Sequence, residues 1–344
     1  MSEKAIKSDT VVKMESNSIL LFVNLKGGSY FDFHLKELPV NPISWRGSKP
    51  GELIFMGHFL CFDRWGPPSA GDKANGFIHH GEVNTVSWEL LAAPQTIEGR
   101  LTCSMMCKLP MAGLQLTRKI ELSANEPVYF VTEQINNLNK NGRIFNLVQH
   151  VSIAPPFLDK STIFDNNSLR GFVDRNDGSL NQDDTIIKWP EADHNGNKVD
   201  LRHFEVDWPE VSSFVYDQND KYGWVTACNP EKNTMLGYLW EIKDYPWVNF
   251  WRSMNNGVPA AFGMEFGTTG LHEPFPIIAK KGKIFSQNIY DYIDAGEVIT
   301  KSFTAFLTKI PSDYSGVEKI EISNSTFTVK EKSSSSRDIT YHLK

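Results

Sequence analysis

"LQLTRKIELSANEPVYFVTEQINNLNK", Leu114 to Lys140, is the stretch on which the fold class turns. Apolar residues recur at alternate positions on both sides of "SANEP", and successive side chains of an extended chain point to opposite faces. A period of two is therefore what a sheet with one buried face requires. β-Branched and aromatic residues fill both arms, and "NNLNKNG" closes the second with turn formers, so the stretch reads as a β-hairpin. The same form, strand, Asn-Pro turn, strand, returns in "YGWVTACNPEKNTMLGYLWEI" from Tyr222 to Ile242, and "EVITKSFTAFLTKI" from Glu297 to Ile310 gives a late alternating strand.

Working outward, stretches with a 3.6-residue period are scarce, while 24 Gly and 18 Pro supply turns between strands. The expectation is an all-β chain: a large antiparallel β-sandwich with few short helices. Residues 1–310 read as one domain. Residues 311–344 read as a C-terminal extension, one or two edge strands and the polar tail "EKSSSSRDITYHLK". No internal repeat and no linker interrupts the body. From Asp165 to Asp200 the composition shifts to Asn, Asp and Gly, which predicts a long surface excursion between strands, and loops of that length are usually functional or disordered.

Charge and composition exclude several functions. With 35 basic and 41 acidic residues, a net charge of -6 and a pI near 5.9, the chain has no electrostatic footprint for nucleic acid or an anionic membrane surface. A small or neutral partner is expected, no macromolecular partner is implied, and oligomeric state has no signature. The opening "MSEKAIKSDTVVKMESNSIL" lacks the apolar core of a secretory signal, and no run of about 18 apolar residues occurs anywhere. Four cysteines are too few for a disulfide scaffold, and Cys103 and Cys107, four residues apart on a strand, lie beyond bridging distance. Free thiols and a cytoplasmic setting are the expectation.

Two patterns invite a metal, and neither is expected to carry one. His79 and His80 would point to opposite faces of a regular strand, so they would not share an ion. "DRNDGSLNQDD", Asp174 to Asp184, approaches a calcium loop, but its glycine falls one place early and no helices flank it. No phosphate-binding glycine loop, nucleophile elbow or Cys/His nucleophile pair with family spacing is present. Histidines and carboxylates near strand ends are what remains.

The stretch "MGHFLCFDRWGPPSAGDKANGFIHHGEVNTVSWEL", Met56 to Leu90, resembles the aldose 1-epimerase or galactose mutarotase-like family, closest in pattern to its hexose-phosphate mutarotase-like branch. The points of likeness are Gly57, then Gly66 and Pro67, then His80 and Gly81, then Trp88 eight residues after the histidine. The likeness continues in order: an arginine-bearing strand and its partner in Leu114 to Lys140, a strand delivering His150, "AAFGMEFGTTG" carrying Glu265, and "AGEVITKSF" leading into the last core strand. It spans Ser18 to Ile310.

The resemblance implies a sugar substrate, no metal or organic cofactor, and a named set of roles. Glu265 would be the base that takes the C1 hydroxyl proton, and His150 the acid that protonates the ring oxygen. His80 would bind a sugar hydroxyl. Arg64 and Arg252 would donate to hydroxyls, and Trp65, Trp88, Trp247 and Trp251 would offer flat faces to the sugar. An acidic partner from the middle of the chain is usual, and both Asp207 and Asp217 fall in the right region, Asp217 being the candidate for binding the substrate. Two departures stand out: Asn84 occupies a position where an arginine is usual in the sugar-phosphate branch, and Glu82 one where an aromatic is common. They imply a free sugar rather than a hexose 6-phosphate.

Each residue also has a plainer reading. A single histidine on a strand usually packs or faces water, tryptophans are core residues by default, and Arg64 reads equally as a loop cation. Glu265 lies between Met264 and Phe266, so alternation points it either into water or into a buried polar site. His58, His79, His203 and His272 read as structural or solvent-facing. Alternative functions on the same scaffold are a non-catalytic carbohydrate-binding protein, which would keep the aromatics without a matched acid and base, and a carbohydrate lyase or hydrolase.

Overall fold

A computed structural model describes residues 10–47, 54–174, 186–194, 196–204, 211–333 and 337–343. The hairpin forms as its alternation predicts. Leu114–Ser123 runs antiparallel to Val128–Asn137, with Leu116 opposite Ile135 and Ile120 opposite Val131, all four buried. Tyr222–Asn229 and Thr234–Glu241 form the second hairpin about a short 3-10 turn, and Val298–Lys309 lies between the two hairpins. These strands, with Ile163–Asn166, Arg100–Leu109 and Glu89–Ile97 at the flanks, make an eight-stranded antiparallel sheet.

A twelve-stranded sheet packs against it. Its centre consists of His58–Phe62, Leu147–Ile153, Val258–Gly267 and Trp247–Asn255 side by side, all antiparallel. The inner faces of both sheets share one core that runs from Met14 and Leu21 through Leu60, Ile120, Val151, Phe262 and Phe266 to Leu307. Burial of this apolar surface is the main force holding the layers together. Among the described residues, the α-helices are two short ones, Ala70–Ala74 and Phe275–Lys281. None is long and apolar enough to cross a membrane. Cys61, Cys103, Cys107 and Cys228 are buried and unpaired.

A charged chain threads this core. Arg118 and Glu133 are direct cross-strand partners, and their side chains meet at 2.8 Å with both groups buried. Glu133 also accepts from the Gln149 amide at 2.7 Å, and the Gln149 oxygen accepts from His58 Nε2 at 3.0 Å. His58 Nδ1 faces the Tyr238 hydroxyl at 3.3 Å, and burial holds the ring's pKa down to about 3, so it bridges as a neutral imidazole. The two sheets are thereby tied by polar contacts directly behind the strand Leu147–Ile153.

Two expectations are corrected. The described residues of the Asp165 to Asp200 stretch are largely strand: Arg170–Asp174, Ile186–Lys188, Glu191–His194 and Asn197–Asp200 extend one end of the twelve-stranded sheet. The C-terminal segment makes three strands, Val317–Ser323, Thr326–Glu331 and Ile339–His342, where one or two were expected. They form a small sheet of their own. It covers the outer face of the eight-stranded sheet by setting Phe327, Val329 and Tyr341 against Phe306, Met235 and Trp224.

Candidate active site

Register assembles the site. Phe59, His150 and Glu265 are direct partners across three adjacent strands, so all three project from the same face of the sheet. Their neighbours Leu60, Gln149 and Phe266 alternate to the opposite face and enter the sandwich core. His150 Nε2 lies 3.1 Å from Glu265 Oε1, and its Nδ1 lies 2.9 Å from the Ser152 hydroxyl. The other carboxyl oxygen, Oε2, accepts from the Trp65 indole N–H at 2.8 Å. Phe59 stacks on the His150 ring with centroids 4.1 Å apart, fixing its plane. Gly263 leaves room for the carboxyl, because a Cβ there would come within 2.7 Å of Glu265 Oε1.

Burial sets the charge state of this pair. Glu265 is 1% exposed, and desolvation pushes its carboxyl up to about 8 against the opposing Trp65 hydrogen bond. His150 is held well below the ordinary imidazole value by desolvation, with the nearby His272 and His79 adding to the effect. At neutral pH the two groups thus hold one exchangeable proton between oxygen and nitrogen, and burial favours its uncharged placement on Glu265.

His80 reaches the same place from a turn. Its backbone is left-handed, φ 63°, followed by Gly81 at φ 80°. A Cβ at Gly81 would lie 2.5 Å from the Phe62 carbonyl oxygen, so only glycine fits, which accounts physically for the His-Gly pair. The His80 N–H donates to the Gly66 carbonyl at 3.2 Å, and the Gly66 N–H donates back to His80 Nδ1 at 3.3 Å. The neutral ring accordingly carries its proton on Nε2. Its centroid is 5.3 Å from that of His150, and desolvation together with the surrounding imidazoles keeps its pKa well below the ordinary value.

These groups line a cavity of about 550 Å³. Trp45, Phe55, Phe59 and Trp251 supply flat apolar walls, and Ser44 and Ser253 supply hydroxyls. Glu265 is the single carboxylate in the described lining, and Arg46 the single guanidinium. The Arg46 head lies against the carbonyls of Ser44, Trp45 and Phe31 at the rim.

Four imidazoles, those of His79, His80, His150 and His272, also line it, although the sequence marks His79 and His272 only as structural or solvent-facing. His79 and His80 sit in a turn rather than on a strand, so the rule of opposite faces does not apply, and their rings lie 3.9 Å apart. His272 belongs to the loop after Val258–Gly267, packs edge-on against Trp65 at 4.9 Å, and has its backbone N–H held by Asp174 Oδ2 at 2.8 Å. No periodicity marks it in the sequence; its only signal was a place seven residues after Glu265.

Other predicted site residues lie elsewhere. Trp88 is buried in the sandwich core, with the Arg118 guanidinium 4.5 Å over its ring. Trp247 is likewise buried, and Trp65 serves through its N–H rather than as a sugar platform. Arg252 alternates away from Trp251 into the interior, where it donates to the Leu201 and His203 carbonyls at 3.0 Å each. Burial lowers its pKa to about 10, which leaves it charged. Arg64 does not line the cavity: it pairs with Asp63 at 2.8 Å and stacks over Phe275 at 4.0 Å. Asp217 is exposed in a turn, capping Asn219, and is no part of the cavity.

Asp207 and most of Asp174 to Asp184 lie outside the described residues. Glu82 and Asn84 bear on the cavity in neither sense, because both turn inward. Glu82 accepts from the backbone N–H groups of Met111 and Ala112, and Asn84 donates to the Leu60 carbonyl.

No protein-family model matches the chain, and no curated protein matches it. Solved structures do. A galactose mutarotase related enzyme from Lactobacillus acidophilus superposes with a TM-score of 0.63 at 12% identity, covering 88% of this chain and 98% of its own. A galactose mutarotase-like protein from Clostridium acetobutylicum gives 0.62 at 13% identity, with 87% and 95% covered. One from Lactobacillus casei gives 0.60 at 13%, with 87% and 100% covered. At these identities the likeness is one of architecture, and the chain has the galactose mutarotase-like β-sandwich fold.

Proposed function

We propose that the protein is an aldose 1-epimerase, a mutarotase-like isomerase that interconverts the α and β anomers of a free sugar by acid/base ring opening. The observation that carries this reading is the contact of Glu265 and His150 at 3.1 Å on the floor of an aromatic-walled cavity. Ring opening removes a proton from O1 and delivers one to the ring oxygen. Both oxygens are bonded to C1, so the base and the acid that serve them must be neighbours. Glu265 acts as base and His150 as acid in the form of the pair that has the shared proton on the His150 nitrogen; burial favours the other placement at rest, and passing the proton across the 3.1 Å contact reaches the reactive form. His80, with its proton on Nε2, donates to a sugar oxygen as negative charge builds during opening. On closing from the other face of the aldehyde the two roles exchange.

The lining bears on the alternatives. A glycosidase would ordinarily need two carboxyl groups about 5 Å or more apart, and the described lining offers one. A binding protein would have no use for a carboxyl raised to about 8 against an imidazole. A free sugar is favoured over a phosphorylated one because the one guanidinium in the described lining is engaged with backbone carbonyls at the rim.

The test follows the relaxation of freshly dissolved α-glucose and α-galactose by polarimetry or proton NMR. The wild type is expected to accelerate relaxation and Glu265→Gln to lower kcat at least about a hundredfold, the loss of one general base. Undiminished turnover in the variant removes the assignment. Saturable sugar binding without turnover by the wild type favours the carbohydrate-binding reading instead.

A further inference from the structure

Three of the four cavity histidines form a second constellation. One ring nitrogen from each of His79, His80 and His272 lies within 4.8 Å of the other two. The ring centroids of His272 stand 5.5 Å from His79 and 5.8 Å from His80. We infer that these three imidazoles bind a divalent transition-metal ion of the Zn²⁺ type, with a fourth coordination position open to the cavity.

The donor set points to that class of ion. Neutral imidazole nitrogens suit zinc, copper, iron and nickel, whereas calcium and magnesium take oxygen ligands. Three protein nitrogens and one open position form the ligand set of catalytic rather than structural zinc. The positions are built into the fold. His80 is fixed by its left-handed turn and its two bonds to Gly66, and His272 by its backbone bond to Asp174 and its contact with Trp65.

Distance says how much must move. Nitrogens about 2.1 Å from a tetrahedral ion stand about 3.4 Å apart, so the constellation has to tighten by up to about 1.4 Å at its widest pair. His79, exposed at the mouth, is the ring whose torsions can supply this. The four cysteines are buried and offer no competing site.

All three rings line the cavity that holds His150 and Glu265, so an ion there meets an oxygen of whatever occupies it. Ring opening by acid and base needs no metal, and this site stands independently of the mutarotase reading.

The experiment uses the tag-free full chain, stripped with chelator and titrated with Zn²⁺ by calorimetry in the absence of sugar. A parallel sample is loaded with Co²⁺ for visible absorption. One equivalent of tightly bound Zn²⁺ and the intense d–d bands of four-coordinate Co²⁺ are expected. His79→Ala and His272→Ala should each weaken binding about a hundredfold or more, since loss of even a supporting partner costs 10- to 100-fold. His342→Ala, far outside the cavity, should bind as the wild type does. The inference is overturned if no stoichiometric Zn²⁺ is taken up, or if uptake is unchanged in His79→Ala, whose exposed side chain makes misfolding of that variant no explanation. Because no sugar is present, the result is separate from the fate of the mutarotase assay.

Discussion

Glu265→Gln should gain stability relative to the wild type as the pH rises. The carboxyl is buried against Trp65 and His150, and its pKa stands near 8 instead of the 4.5 of an open glutamate. Between those values the unfolded chain has released the proton while the folded chain retains it. Raising the pH through that window therefore favours unfolding. Integrated over the binding curve, the penalty is about 1 kcal/mol at pH 5, about 3 kcal/mol at pH 7 and about 5 kcal/mol above pH 9.

Glutamine removes this titration while retaining the shape, and its amide can accept from Trp65 and donate to His150. Any fixed cost of the buried amide is the same at every pH. The stability difference between variant and wild type should consequently grow by about 2 to 3 kcal/mol from pH 5 to pH 7. Urea unfolding of both proteins at the two pH values, with m-values compared, reads this directly. A difference that stays constant within about 0.5 kcal/mol would mean that the carboxyl ionises as if exposed, and the account of the site's charge state would be wrong.

Two further outcomes follow from the same contacts. The kcat/KM profile for mutarotation should be bell-shaped, because the site needs exactly one proton on the Glu265–His150 pair: activity falls above pH about 8 as that proton leaves, and falls on the acid side only well below 6.5 as a second one binds. A profile that rises through pH 9 would contradict it. Glu133→Leu strands the Arg118 guanidinium in the core and should cost about 3 to 5 kcal/mol in urea unfolding, whereas the double change with Arg118→Met should recover most of the loss; equal destabilisation by the single and the double variant would show that the pair is not what those residues contribute.

The sandwich was legible because its evidence is local. Leu114 to Lys140 carries a period of two, a turn and a second period of two, and each of these is decided within a few residues. The Glu265–His150 pair was legible only through the order of motifs. Nothing near either residue announces that positions 115 apart become cross-strand partners, and no periodicity distinguishes His150 from a packing histidine. The misplaced residues share one feature. Arg64, Trp88, Arg252 and Asp217 are residue types that suit a sugar site, but residue type does not say where the backbone aims a side chain: Arg64, Trp88 and Asp217 leave from loops, and Arg252 from a strand whose register decides its face. Arg252 and Trp251 are adjacent, and alternation alone sends one to the core and the other to the cavity.

The same alternation explains why the candidate chemistry sits where it does. Gln149 and His150 are consecutive, and they serve opposite faces of one strand: Gln149 is locked inward to Glu133, Tyr245 and His58, and His150 is turned outward to Glu265. A strand pinned on its inner face by a network of buried hydrogen bonds has little freedom to slide or twist. The outer side chain inherits that rigidity. Holding a 3.1 Å contact between two buried titratable groups, one pushed toward its neutral form by desolvation, requires a scaffold that does not relax when the proton moves. The charged core behind the sheet, costly as a source of stability, is thus best understood as the rigid backing of the pair in front of it.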